Sequence, residues 1–182
     1  KNKVVGMAGI LDSSRFIYFL SEELKVPVKK IKSFVLGGHG DSMVAMLGST
    51  EVEGKKINDL LKEGRISKEK LDQIIDRTKK GGAEIVKFLE KGSAFYAPAA
   101  SGVEMAECYL KNLKKQLPCA VYLNGEYGAK DIYAGVPVII GSGGVEKIIE
   151  LQLSEEEKAN FENSVKAVNE LFSAAKKIDP SL

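Results

Sequence analysis

The sequence is short of the groups that most often announce a chemistry. It has one histidine and two cysteines in 182 residues. Cys108 and Cys119 lie eleven residues apart, with no CxxC spacing and no neighbouring histidine. Three such side chains cannot supply the four well-spaced ligands of a structural zinc site. The two thiols read as free, which points to a reducing compartment and so to the cytoplasm. Charge of one sign is scarce too, with 27 basic residues against 25 acidic ones and a net charge of +2. That leaves no footprint for nucleic acid or for an anionic membrane surface. The longest apolar runs, such as Val136–Gly141, fall far short of the roughly 20 residues that span a bilayer. No initiator Met and no secretory signal open the chain, and Val4-Val5 reads as the end of a strand already under way. The expectation is a piece of a longer polypeptide.

What is present suits one globular domain, 44% hydrophobic and 29% charged. Phe16, Ile17, Leu20 and Leu24 predict a helix over Asp12–Leu24, stopped by Val26-Pro27-Val28. Ile31–Leu36 reads as a strand entering the loop Gly37-Gly38-His39-Gly40-Asp41. Val44–Val52 and Lys55–Ile57 flank Glu53-Gly54 as a hairpin. Ser67 caps a long helical pattern to Leu89, with Gly81-Gly82 predicting two helices or a kink. A helix follows from about Ser101 to Lys115, its apolar face made by Val103, Ala106, Tyr109, Leu110 and Leu113. Leu117–Asn124 alternates as a strand, and Asp131–Ala134 and Val136–Ile140 read as two more around Gly135. A long amphipathic helix, Ser154–Lys177, closes the chain behind a capping box of Ser154 and Glu157, with the stripe Phe161, Val165, Val168, Leu171 and Phe172. Helices mixed with antiparallel-type strands, without regular βαβ alternation, predict an α+β fold.

Three residues stand out for chemistry. His39, the single histidine, sits in a glycine-rich loop that holds a side chain at an open edge. Asp12 and Arg15 lie three apart near the head of the first helix, on one face. If that face meets the His39 loop, a carboxylate would orient the imidazole and stabilise its protonated form. Such a histidine exchanges protons with a carbonyl or hydroxyl near neutral pH. The planar fork of Arg15 would grip a carboxylate through two hydrogen bonds. The matching substrate is a 2-hydroxy or 2-keto acid. The accompanying hydride needs a nicotinamide cofactor, since no side chain supplies one. Each residue also has a plainer reading: Asp12 as the N-cap of its helix, Arg15 as a solvated cation, His39 as a turn residue. Spacing alone leaves these open.

Val5-Gly6-Met7-Ala8-Gly9-Ile10-Leu11-Asp12-Ser13-Ser14-Arg15-Phe16, followed by Val35-Leu36-Gly37-Gly38-His39-Gly40-Asp41-Ser42-Met43, closely resembles two signature segments of the lactate/malate dehydrogenase family. The resemblance continues through Gly92–Ala97, Tyr127-Gly128 and Gly135-Val136-Pro137 to the terminal helix. It implies a substrate-binding, catalytic C-terminal domain over residues 1–182, of mixed and antiparallel strands packed with long helices. It implies His39 as proton donor and acceptor, Asp12 as its orienting carboxylate and Arg15 as the substrate-carboxylate ligand. Met7 would line the nicotinamide end of the NAD site. The small dicarboxylic acids malate and oxaloacetate are implied as substrates by Met7 and Ala94, where lactate enzymes of the family resemble one another in carrying serine and threonine. A lactate-type 2-hydroxy acid enzyme and an inactive assembly module are the alternatives. The family also implies a homo-oligomer, dimer or tetramer, using the faces Phe16–Leu24 or Phe161–Phe172. Ala45 departs from the proline common in relatives, which would loosen the catalytic loop slightly. No G-x-G-x-x-G fingerprint is present: Gly141-Ser142-Gly143-Gly144 meets Glu146, and Gly38-His39-Gly40 meets Met43, where the third glycine belongs. An N-terminal NAD-binding Rossmann domain is therefore expected outside this chain.

Overall fold

The computed structural model describes residues 1–181. Helix α1 runs from Ala8 to Leu24 and buries Phe16, Leu20 and Leu24 on one stripe. It starts earlier than the apolar spacing suggests, and Met7 rather than Asp12 is its N-cap. Lys25, in left-handed backbone, ends it ahead of Pro27. The expected strand 31–36 divides into β1 (Ile31–Lys32) and β2 (Val35–Gly37), which belong to different sheets. Ser33, buried between them, is hydrogen-bonded to Thr50, and Ser13 of α1 accepts from the Val35 N–H at 2.9 Å. These side-chain anchors turn the backbone where apolar alternation alone predicts continuity.

The region 44–52 divides likewise, into β3 (Met43–Ala45) and β4 (Glu51–Val52). The Glu53-Gly54 hairpin forms as expected, both residues at positive φ, and returns as β5 (Lys55–Lys56). Ile57 then opens the short helix α2 (Ile57–Lys62) instead of extending a strand. Helix α3 (Lys68–Leu89) is capped by Ser67, whose hydroxyl accepts from the Lys70 N–H. It continues as one helix through Gly81-Gly82, so the chain does not divide into two helices there.

Helix α4 spans Tyr96–Leu110 and packs the opposite way from the expected stripe. Ser101, Met105 and Cys108 face the core, while Val103, Leu110 and Leu113 are exposed. Small side chains at Ser101 and Cys108 make the close-packing face, a choice that hydrophobicity alone does not reveal. Strands β6 (Lys115–Asn124) and β7 (Lys130–Gly141) form a long hairpin, and β8 (Gly144–Ile148) folds back on β7. Gly135 does not interrupt β7. It is where β2 crosses, since a Cβ there would stand 2.7 Å from the Gly37 carbonyl oxygen. Helix α5 (Glu155–Ile178) has the full capping box of Ser154 and Glu157. Its stripe packs only at the near end: Phe161 is buried, Leu171 and Phe172 are exposed.

The main sheet has the order β3-β2-β7-β6 with β8 also on β7, and the small sheet the order β1-β4-β5. Every strand pair is antiparallel. With long helices against the sheets, the fold is the α+β type expected. One core lies between the main sheet and α4 and α5, around Leu117, Val136, Val138 and Phe161. The other joins α1, α2 and α3 around Phe16, Leu20, Ile57 and Leu71. Within the segments expected to offer an intersubunit face, Phe16, Leu20, Leu24 and Phe161 are buried in these interiors, whereas Tyr18, Leu171 and Phe172 are exposed.

Candidate active site

The β2–β3 hairpin places the histidine. Gly37 pairs with Met43, leaving residues 38–42 as a five-residue loop at the end of the ladder. Gly37 and Gly40 adopt positive φ, 83° and 68°, which glycine accepts without a Cβ penalty. His39 stands between them in extended backbone, its side chain 53% exposed.

Helix α1 supplies the other two groups. Asp12, one turn into the helix, is 1% exposed, and its Oδ2 lies 2.8 Å from His39 Nδ1. Arg15 follows one turn later, with Nη1 3.8 Å from Asp12 Oδ1 and its side chain 11% exposed. The three residues therefore converge as the sequence expects, and the N-cap reading of Asp12 is excluded. The hydrogen bond to Asp12 raises the His39 pKa above its ordinary 6.5, and the carboxylate charge adds to that. Burial and the Arg15 charge pull the other way without reversing it.

Two details show what the arrangement leaves available. Because Nδ1 is engaged by Asp12, Nε2 is the ring nitrogen left to exchange a proton. Arg15 sits at charge distance rather than hydrogen-bond distance from Asp12, and among the described residues it donates no hydrogen bond. Asp12 Oδ1 is correspondingly buried without a hydrogen-bond partner there. A mostly buried guanidinium with its fork unspent suits an incoming carboxylate. Met7, half-buried, holds the N-cap of α1 upstream of Asp12, its carbonyl accepting from Ile10 and Leu11.

Sequence reasoning missed the bed on which Arg15 lies. A Cβ on Gly81 would stand 3.0 Å from Arg15 Cδ and 3.3 Å from Nε, and one on Gly82 3.9 Å from Nη1 and Nη2. The legible signal was the mismatch itself: adjacent glycines cost a helix about 1 kcal/mol each against Ala, and a strong helical pattern runs through them. The two cysteines are free and buried, and burial pushes the Cys119 thiol up to about 12, which leaves it unreactive. Among the described residues no cluster of three His, Cys, Asp or Glu side chains is placed for a metal ion, and no helix is long and apolar enough to cross a membrane.

Comparison with known proteins decides the family. The model of the lactate/malate dehydrogenase alpha/beta C-terminal domain matches residues 10–178. The chain belongs to the lactate/malate dehydrogenase family. Over 181 residues it is 66% identical to a malate dehydrogenase of Pelagibacter ubique (strain HTCC1062), covering all of this chain and 57% of that protein. The malate dehydrogenase of Cryptosporidium parvum superposes with a TM-score of 0.93 at 43% identity, over 97% of this chain and 56% of that one. A lactate dehydrogenase of the same organism, solved with lactic acid and nicotinamide adenine dinucleotide, gives 0.93 at 42% identity, over 95% and 55%. The lactate/malate dehydrogenase domain seen here thus spans little more than half the length of these relatives.

Proposed function

We propose that this chain is the substrate-binding, acid/base half of an NAD-dependent malate dehydrogenase. In this reading it works with an N-terminal NAD-binding domain that the chain does not contain. The convergence of His39, Asp12 and Arg15 carries the proposal. Arg15 binds the carboxylate next to the reacting carbon of oxaloacetate or malate through its free fork. His39 Nε2 gives a proton to the carbonyl oxygen in reduction and takes one from the hydroxyl in oxidation. Asp12 keeps Nδ1 protonated and stabilises the imidazolium across both directions. A bound nicotinamide supplies or accepts the hydride.

The residues fit one end of that cofactor and not the other. Met7, at the head of the helix bearing Asp12 and Arg15, is the candidate for contact with the nicotinamide. Neither glycine cluster suits the phosphates, because neither joins a strand to a helix of useful length. Gly141–Gly144 turns β7 into β8, and Gly37–Gly40 carries His39. Malate is favoured over lactate by the 66% identity to a malate dehydrogenase, whereas lactate enzymes appear among the structural relatives at about the same likeness as malate enzymes. The free thiols fit the cytoplasm. Exposed Leu110, Leu171 and Tyr96 fit assembly into a homo-oligomer.

Assays of this chain and of the intact protein with NADH, against oxaloacetate and pyruvate, test the reading. Turnover is expected only from the intact protein and chiefly on oxaloacetate. Full activity of the isolated chain would remove the need for a second domain. A preference for pyruvate would make the enzyme lactate-type, and an intact protein inert on both would leave the chain an assembly module.

A further inference from the structure

His39 stands on a loop that its own sequence does little to hold. Three glycines surround it, and glycine loses more freedom on ordering than any other residue. The ring is half-exposed, and the sheet ladder grips the loop at its feet, Gly37 and Met43. A further restraint arrives from α5, over a hundred residues away. Ser164, 3% exposed, accepts from the Gly38 N–H at 2.7 Å and donates to the Ser42 carbonyl at 2.5 Å. A hydroxyl is suited to this, having one donor and spare acceptor lone pairs. It adds one more rung across the hairpin, beside His39. Room is made for it: a Cβ on Gly37 would stand 2.3 Å from Ser164 Oγ. Ser164 also lies on the apolar side of α5, between Phe161 and Val168, where a buried hydroxyl requires partners.

We infer that Ser164 is a positioning residue for His39, tying Gly38 to Ser42 so that the imidazole is held against Asp12 and toward the substrate. The inference rests on the acid/base reading proposed above. Ser164 acts through the backbone of the loop, on residues either side of the ring. The charges felt at the ring are those of Asp12 and Arg15 on α1, and Asp41 lies in the loop itself. From α5 the loop is met by uncharged Ser164 and Val168, and from α3 Gly40 is approached by the Lys79 carbonyl.

Ser164→Ala in the intact protein is the test, with two readouts. One is steady-state kinetics. The other is an NMR titration of the His39 ring, its resonance assigned by its loss in His39→Asn. The expected result is a kcat lowered about 10- to 100-fold with cofactor KM unchanged. The His39 pKa should fall back toward its ordinary value as the ring spends less time on the carboxylate. Ser164→Thr, which keeps the hydroxyl, should retain both properties. If the alanine variant does not fold, Ser164→Cys keeps the volume and weakens both bonds, and the same changes are expected at smaller size. A folded Ala or Cys variant with wild-type kcat and wild-type His39 titration overturns the inference, whatever its melting temperature. A displaced titration in a protein that turns over no keto acid would uphold the positioning role and sink the acid/base reading instead.

Discussion

Helices α1 and α4 pack against one another yet break the rule of burial in opposite directions. On α1 a carboxylate, Asp12, is 1% exposed; on α4 Leu110 is 79% exposed and Val103 66%. The two exceptions differ in cost. Removing a carboxylate from water costs several kcal/mol even after the protein relaxes around it, and Asp12 recovers this through one hydrogen bond and a guanidinium at 3.8 Å. An apolar residue left at the surface forgoes only about 1.5–3 kcal/mol of burial and is common in folded proteins. The buried charge is therefore the exception that demands a reason. Stability does not provide one, because well-packed apolar residues in place of Asp12 and Arg15 together often serve as well or better. The acid/base chemistry proposed at His39 does.

The largest effect should come from His39→Asn in the intact protein. Loss of the proposed proton donor and acceptor is expected to lower kcat about 10²- to 10⁴-fold, with cofactor affinity nearly unchanged. A silent substitution would reduce Asp12 to a structural oddity and dissolve the contrast with α4. The wild-type pH profile carries the same signature. His39 has its pKa raised above 6.5 by the bond to Asp12, so kcat/KM for keto-acid reduction should be level at low pH and fall as pH rises through that pKa. Hydroxy-acid oxidation should show the mirror-image limb. By the same linkage, the ion pair stabilises the fold fully below 6.5 and ceases to do so as pH climbs through the raised value. With the ring half in solvent, that stability term is small.

Next in size is Arg15→Lys. An ammonium preserves the charge beside Asp12 but cannot reproduce the planar fork. The KM for the keto acid should rise about 10- to 100-fold, the equivalent of one or two charge-assisted hydrogen bonds, with kcat less affected. Unchanged kinetics would mean that the guanidinium is not the carboxylate clamp.

The residues of this site were legible in the sequence while the shape of their supports was not. Asp12, Arg15 and His39 stand in motifs from which their convergence was expected, and it is found; α1, α3 and α5 follow from apolar spacing and, for α3 and α5, from serine caps. The strands misread at 31–36 and 131–140 failed for one reason. Where the chain bends or passes close to itself is decided by contacts distant in sequence, such as Ser13 with Val35 and Gly37 with Gly135. α4 was read on the wrong face because Ser101 and Cys108 pack by being small, and hydrophobic spacing favours the larger side chains. Ser164 had a faint signal, a lone hydroxyl among the apolar positions of α5, without any indication of what it would meet.

Gly81→Ala gives the smallest effect and the sharpest comparison, since it sets helix stability against function at one atom. In a helix interior Ala is favoured over Gly by about 1 kcal/mol, and Gly81 lies in an unbroken helix with ordinary negative φ. The added Cβ would sit 3.0 Å from Arg15 Cδ, tighter than normal contact, so the arginine stem must yield by a few tenths of an ångström. A flexible stem can yield, and the melting temperature should hold or rise slightly. The guanidinium at its end would then be displaced from the position in which its fork meets the substrate. Since a 1 Å misplacement can cost 10²-fold, a shift of tenths should raise the keto-acid KM roughly three- to tenfold and leave the His39 pH limb where it was. A melting temperature that drops together with kcat, at unchanged KM, would mean that the glycine pair serves the packing of α3 on α1 and not the seating of Arg15.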